Sequence, residues 1–440
     1  MKRLALVAVA LVLSALAGLP ARAEIAIQEV TSPGGITAWL VEEHSIPFTA
    51  LEIRFRGGAS LDAPGKRGAI NLMTGLLEEG AGDMDARAFA EATESLAASY
   101  RFDVGDDSLR VSARFLSENR DQAVELLRLA ITEPRFDPDA IERVRGQVLS
   151  HLRSRATDPD SIAGDTFDAL AFPNHPYGSY LGGTIDSVTA LTRADIVDAF
   201  ARTIARDRIY VSAVGDITPE ALGVLLDRLL GGLPEAGAPE PPDARFALEP
   251  GLSVVAFENP QSVVQFGHEG ILRDDPDYIP AYILNTILGA GNFNARLMDE
   301  LREKRGLTYS VRSYLLPKFH GAVIAGQFSS SNDRVAEAIA IVREEWRRIA
   351  TQGVTQAELD AAKTYLTGAY PLRFDGNAPI ARILVGMQMI GLPRDYVRTR
   401  NDQVNAVTLD EINRVAARIY KPDALHFVVV GQPEGLDAGQ

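Results

Sequence analysis

Two hydrogen-bond donors that could share a target lie close together in the stretch GAGNFNARLMDELREKRGLTY, Gly289 to Tyr309. They are the guanidinium of Arg302 and the phenol of Tyr309. A Gly-rich turn opens the stretch, and a helix is expected to follow with Leu297, Met298 and Leu301 as its apolar face. Arg302, Lys304 and Arg305 crowd its last turn. Gly306 suits the position after a helix, where the chain takes a left-handed conformation. A strand-like run, TYSVRSYLL, comes next with Tyr309 second in it, so the turn can carry both donors to one spot. A plainer reading is open on spacing alone. Arg302 then complements the dipole of the helix C-terminus, worth about 0.3–1 kcal/mol, while Tyr309 packs as a strand aromatic. Lys304 and Arg305 take the plainer role.

Gly289, Gly291, Asn292 and Phe293 precede this helix. They lack the G-K-[ST] of a phosphate loop and match a dinucleotide fingerprint poorly. Close backbone approach to a peptide, or simple turn geometry, fits them better. The strand expected at Val263 to Glu269 would offer an edge to an extended substrate by β-addition.

Metal chemistry has few donors to draw on. The chain has no cysteine and six histidines, His44, His151, His175, His268, His320 and His426, no two of which share a helical turn. A site would need His, Asp or Glu. Glu78 and Glu79 are the nearest carboxylates to the first long apolar helix, where they read as its solvated end.

These residues sit in a 440-residue chain of formal charge −15. Lys2 and Arg3, the apolar run Leu4 to Leu19, and small Ala21 and Ala23 form a secretory leader, residues 1–23, with cleavage expected after Ala23. Its apolar run is shorter than the ~20 residues of a membrane span. No other segment is a candidate span, so a soluble chain in the periplasm or outside the cell is expected. Leader removal takes away three cations and no acids, bringing the charge to about −18. That disfavours nucleic acid and anionic membrane as partners.

Residues 233–250, LPEAGAPEPPDARFALEP, have linker composition and divide the mature chain into 24–232 and 251–440. In the first part, strands are expected at 36–40, 50–56, 100–104, 109–115 and 209–214. Helices are expected at 68–78, 86–98 and 120–132, from Asp137 past His151, and near 192–205. The second part repeats the first. LTRADIVDAFARTIARDRIYVSAVG and VTLDEINRVAARIYKPDALHFVVVG place Thr192 and Thr408, Ile196 and Ile412, Gly215 and Gly431 at one constant offset. The fold class is α+β: a tandem duplication in which each copy is an antiparallel sheet packed with helices, the two enclosing a cleft.

Three segments, in order, resemble the M16 (insulinase, pitrilysin and processing peptidase) metallopeptidases. APGKRGAINLMTGLLEEGAG has the frame of that family's first helix. FPNHPYGSYLGGTIDSV is similar to its HPYG-containing loop, and GAGNFNARLMDELREKRGLTYSV to the signature of its second domain. The resemblance spans essentially the whole mature chain. Family peptidases carry H-x-x-E-H on the first helix, two zinc ligands and a general base, with a further Glu ligand on a later helix. Here Asn71, Thr74 and Gly75 stand at the H-x-x-E-H positions and His151 where the later Glu would be. The resemblance therefore implies no metal or cofactor in this chain. Arg302 and Tyr309 match the family residues that reach the substrate backbone beside the zinc. The combination implies the non-metal half of a heterodimer, with zinc on an H-x-x-E-H partner subunit and peptides as substrates. A non-catalytic peptide-binding or scaffold protein is the alternative, and a self-sufficient hydrolase with an unusual metal site at His151 a third.

Overall fold

A computed structural model describes residues 25–291 and 294–436. The leader, Asn292 and Phe293 lie outside the described residues. Alternating apolar residues build the first sheet. It comprises β1 (Gln28–Thr31), β2 (Thr37–Glu42), β3 (Phe48–Arg56), β6 (Ser99–Val104), β7 (Ser108–Leu116) and β8 (Ile209–Gly215), with a small separate pair β4 (Gly80–Ala81) and β5 (Met84–Asp85). The second sheet comprises β9 (Gly251–Ala256), β10 (Gln261–Glu269), β11 (Val311–Lys318), β12 (Gly321–Ser331) and β13 (His426–Gly431).

The strand orders, β1-β2-β8-β3-β7-β6 and β9-β13-β10-β12-β11, superimpose once β1 is set aside. The duplication read from the repeat is thus carried down to strand direction. Each sheet departs from the antiparallel expectation at one place: β2 runs parallel to β8, and β9 parallel to β13. In each pair nearly a whole repeat separates the partners, a connection long enough to return in the same direction. The edge expected at Val263 to Glu269 is overturned. That segment is β10, in the middle of its sheet between β12 and β13, so its main chain is already paired on both sides.

Each half packs its own helices on one face of its sheet. The helices Arg120–Thr132 and Arg193–Thr203 help close the first core. Val335–Gln352 and Leu409–Ile419 help close the second. The opposite faces are covered by exchange. Helix Pro159–Ala171 of the first half sets Ala163, Phe167 and Ala171 on Val263, Val323, Ala325, Val428 and Val430 of the second sheet. Helix Asn377–Met389 of the second half sets Ala381, Leu384 and Met387 on Trp39, Ala50 and Val214 of the first. Gly267 leaves room for both the neighbouring strand and Phe167: a Cβ there would lie 2.5 Å from the Ile324 carbonyl oxygen and 3.1 Å from the Phe167 ring. Residues 233–250 carry no helix or strand and are fastened to both halves. Ala247 N–H donates to Ala171 and Ala244 N–H to His320, while Leu248 is buried in the shared core.

The exchange makes the two halves one cooperative unit. Phe167→Ala should cost about 3–5 kcal/mol in a urea melt and leave a single transition. A melt that splits into two independent steps would show that the halves do not depend on one another.

Candidate functional site

The Gly289–Tyr309 stretch grows out of helix Tyr278–Asn285, which continues as a wider π-type turn over Thr286–Ala290. Gly289 is buried there, and a Cβ would meet Ser313 Oγ at 2.5 Å and its amide nitrogen at 2.8 Å. Ser313 donates to Asn285 Oδ1 at 2.7 Å, fixing this turn to β11. The close approach anticipated at Gly289 is therefore to the chain's own strand and not to a ligand. Gly291 turns back on its own helix, its N–H donating to the Thr286 carbonyl at 2.9 Å.

The following segment is helical as expected, with Leu297, Met298 and Leu301 buried, but Met298–Glu303 is again a π-type turn. Gly306 takes the left-handed conformation, φ +60°, and donates to the Arg302 carbonyl. Strand β11 begins only at Val311, so Tyr309 lies in the bend before it and not in the strand. Thr308 shapes that bend by donating through its hydroxyl to the Ser310 carbonyl at 2.8 Å.

The three cations separate by role. Glu300, largely buried, accepts from Lys304 at 2.7 Å and from Arg305, and the Lys304 hydrogen bond leads the effects that hold its carboxyl below the usual range. Arg302 instead stands beside Tyr309, its guanidinium carbon 5.0 Å from the ring centroid, with its Nε 3.6 Å from Glu303. Tyr309 is 83% exposed, the most exposed large apolar side chain among the described residues. The structure thus brings the two expected donors together and displays the phenol to solvent. Arg296 anchors the segment from behind. Its guanidinium donates to both oxygens of Glu358, at 2.7 and 2.9 Å, and to the Gly353 carbonyl at 3.0 Å. The sequence reading missed this pair, because nothing local couples residues on such distant segments.

The expected metal frame is a capped helix whose key positions carry no ligand set. Asp62 caps the helix Ala69–Thr74 by accepting from the amides of Gly68 and Ile70, both at 2.9 Å, and burial pushes its carboxyl up to about 6. The helix stops at Thr74, short of the expected Glu78. The buried Thr74 hydroxyl donates back to the Ile70 carbonyl at 2.7 Å. Asn71 lies one turn before Gly75, which offers no side chain, and a Cβ on Gly75 would already be 3.0 Å from Val144 Cγ1 on helix Pro138–Arg155. His151 on that second helix has its Nε2 3.1 Å from the Tyr180 hydroxyl, and Arg155 lies over the same ring. Glu79 pairs with Arg143. These residues do not fit zinc: an amide, a back-bonded hydroxyl, a glycine and one histidine supply too few ligands. Among the described residues no three of His, Asp or Glu converge as a metal-binding group.

The HPYG loop has a structural use that the sequence reading did not find. Tyr177 is buried, donates to Asp107 at 2.5 Å and accepts from the His320 amide at 3.1 Å across the two halves. Lys318 sits 4.4 Å above the Tyr177 ring and 2.7 Å from Asp106.

The chain matches known proteins in both sequence and structure. Residues 38–185 match the family model described as insulinase (peptidase family M16). Residues 190–366 match the model described as peptidase M16 inactive domain. A Helicobacter pylori protein called the non-peptidase homolog YmxG is 28% identical over 392 residues, covering 88% of this chain and 90% of the relative. An uncharacterised zinc protease of Mycobacterium tuberculosis is 26% identical, covering 90% and 91%. The crystal structure of a peptidase M16 inactive domain from Pseudomonas fluorescens aligns with TM-score 0.87 and 26% identity, over 94% of this chain and 99% of that one.

Two measurements check the site. The purified chain, incubated with zinc and desalted, should retain well under one zinc per chain by metal analysis; one tightly held zinc would contradict the packing described. Glu358 tests the anchor. Burial alone would raise its carboxyl, but Arg296 and the Thr355 amide outweigh burial and bring it to about 2, from an ordinary 4.5. A depressed carboxyl contributes stability that is complete above 4.5 and lost as pH falls through about 2. Glu358→Gln should therefore cost about 1.5–3 kcal/mol at pH 7, and the gap from the parent should narrow as pH falls from 4.5 towards 2.

Proposed function

The chain belongs to the M16 (insulinase) peptidase family, and from that premise we propose that it is the non-metal subunit of a two-chain peptidase. It binds peptide and presents Arg302 and Tyr309 to the scissile carbonyl at a zinc site on an H-x-x-E-H partner. The observation that carries this reading is the display of Tyr309 beside Arg302, 83% exposed and 5.0 Å from the guanidinium, in a chain whose described residues form no metal-binding group. An exposed phenol gains little by packing, so its placement makes sense toward something outside the chain.

Zinc on the partner would supply the activated water. The work left to this chain is electrostatic. Attack on a peptide carbonyl builds negative charge on its oxygen, and a phenol O–H and a guanidinium aimed there stabilise that charge more than the neutral ground state. One such donor is worth on the order of 10²–10³ in rate. Glu300 ties down Lys304 and Arg305, and Glu358 holds Arg296, so the pair is positioned on a braced segment. In this reading the leader, cut after Ala23, delivers the chain to the periplasm.

Tyr309→Phe and Arg302→Ala should each lower kcat of the assembled peptidase by roughly 10²–10³, with assembly and the partner's zinc content unchanged. Tyr309→Phe should also leave the melting temperature of this chain within about 1 °C, since exposed sites rarely contribute. Unchanged turnover in both variants would replace this reading with a non-catalytic peptide-binding or scaffold role on the same fold.

A further inference from the structure

The first sheet has a face that does not match the acidity of the chain. Along β7, Leu109, Val111, Ala113 and Phe115 point into the core, which sends Arg110, Ser112 and Arg114 to the other side. The same alternation sends Glu52 and Arg54 of β3, and Arg101 and Asp103 of β6, to that face. Register fixes their neighbours. Arg110 stands directly between Arg54 and Asp103, and Ser112 between Glu52 and Arg101. Helix Asn377–Met389 covers only the β3–β8 side of this face, and from it Arg382 reaches to 3.8 Å from Glu52.

Five guanidiniums thus share the open part of the sheet with Glu52 and Asp103, and Glu78 adds a third carboxylate near Arg101. Asp103 is taken by Arg101 and Arg110. Glu52 is 2% exposed and faces Arg382. Arg54 has only the Ser108 hydroxyl, at 3.3 Å, and the Nε atoms of both Arg54 and Arg110 are buried without a partner. Like charges set directly opposite on neighbouring strands are destabilising. Burial, together with the Arg110 charge, lowers the Arg54 pKa. Glu52 and Asp103 offset part of these costs. Arg101 is 73% exposed and Arg382 54%, so the face is open to a ligand.

We propose that this arginine face binds acidic peptide segments in extended conformation. The statement rests on the peptide-binding reading above and adds its substrate class. Spacing favours an extended chain: Arg110 and Arg114 are four residues apart on one strand, about 13 Å at ~3.3 Å per residue. A peptide lying along β7 brings its own side chains i and i+4 to one side at that same separation. Carboxylates there would take charge-assisted hydrogen bonds from guanidiniums. The acidity of the rest of the chain disfavours binding the same peptide elsewhere.

The test is fluorescence anisotropy of the purified chain with labelled ten-residue peptides, one alternating Glu and Ala, the other Lys and Ala. Tripolyphosphate serves as competitor. The acidic peptide should bind and the basic one should not, and affinity should fall with salt. Arg114→Gln and Arg382→Gln should each weaken binding roughly tenfold with the melting temperature unchanged. Arg87→Gln, on an exposed helix elsewhere, should leave binding as it was. Equal affinity for both peptides, no binding, or variants that bind like the parent would overturn the proposal. So would displacement by tripolyphosphate at the same concentration as free acidic peptide, which would mark a general anion face. The readout uses this chain alone. Loss of acidic preference with Arg302-dependent turnover intact would sink this inference only, and the reverse would sink only the proposed function.

Discussion

The exchange of helices between the two halves is the constraint on which the rest of this structure depends. A sheet with helices on one side still has a second apolar face to cover, and neither half covers its own. Phe167 goes to the second sheet, and Leu384 and Met387 go to the first. Each copy of the repeat commits the same element, the third α-helix after β7 or β12, to the other copy. The HPYG loop adds a polar fastening at the same boundary, through Tyr177, Asp107 and the amide of His320.

In the first half, capping and packing set the first apolar helix, and no three metal-ligating side chains converge among the described residues. The helix Ala69–Thr74 is capped by Asp62, and Gly75 allows close approach of Val144 from the later helix. A side chain returned to Gly75 would meet Val144 Cγ1 at 3.0 Å, so that neighbour would have to shift slightly. In the second half the opposite holds. Arg296, Glu300 and Glu358 spend three charged side chains on bracing a short segment whose outward product is Arg302 beside an exposed Tyr309.

Much of this was legible in the sequence because it is local or periodic. Helix Arg120–Thr132 follows its apolar spacing, Gly306 its conformational freedom, and the repeat from Thr192 to Gly215 reappears around β13. The neighbourhood of Arg302 and Tyr309 followed from the turn at Gly306. What was not legible depends on partners far away in the chain. Whether β10 is an edge or a centre is decided by β12 and β13, and apolar periodicity does not say which half a helix will cover. The π-type turns at Thr286–Ala290 and Met298–Glu303 have no composition of their own. The contact of Gly289 with Ser313 was not legible, because Ser313 lies on a strand that spacing alone does not bring beside it.

The central claim is that this chain holds one half of an active site whose metal lies on another subunit. Peptide cleavage by a purified H-x-x-E-H subunit, measured with and without this chain at equal zinc loading, tests it most directly. The account predicts near-background cleavage by the partner alone and acceleration of at least ~10² on adding this chain. Equal rates with and without it would contradict the account.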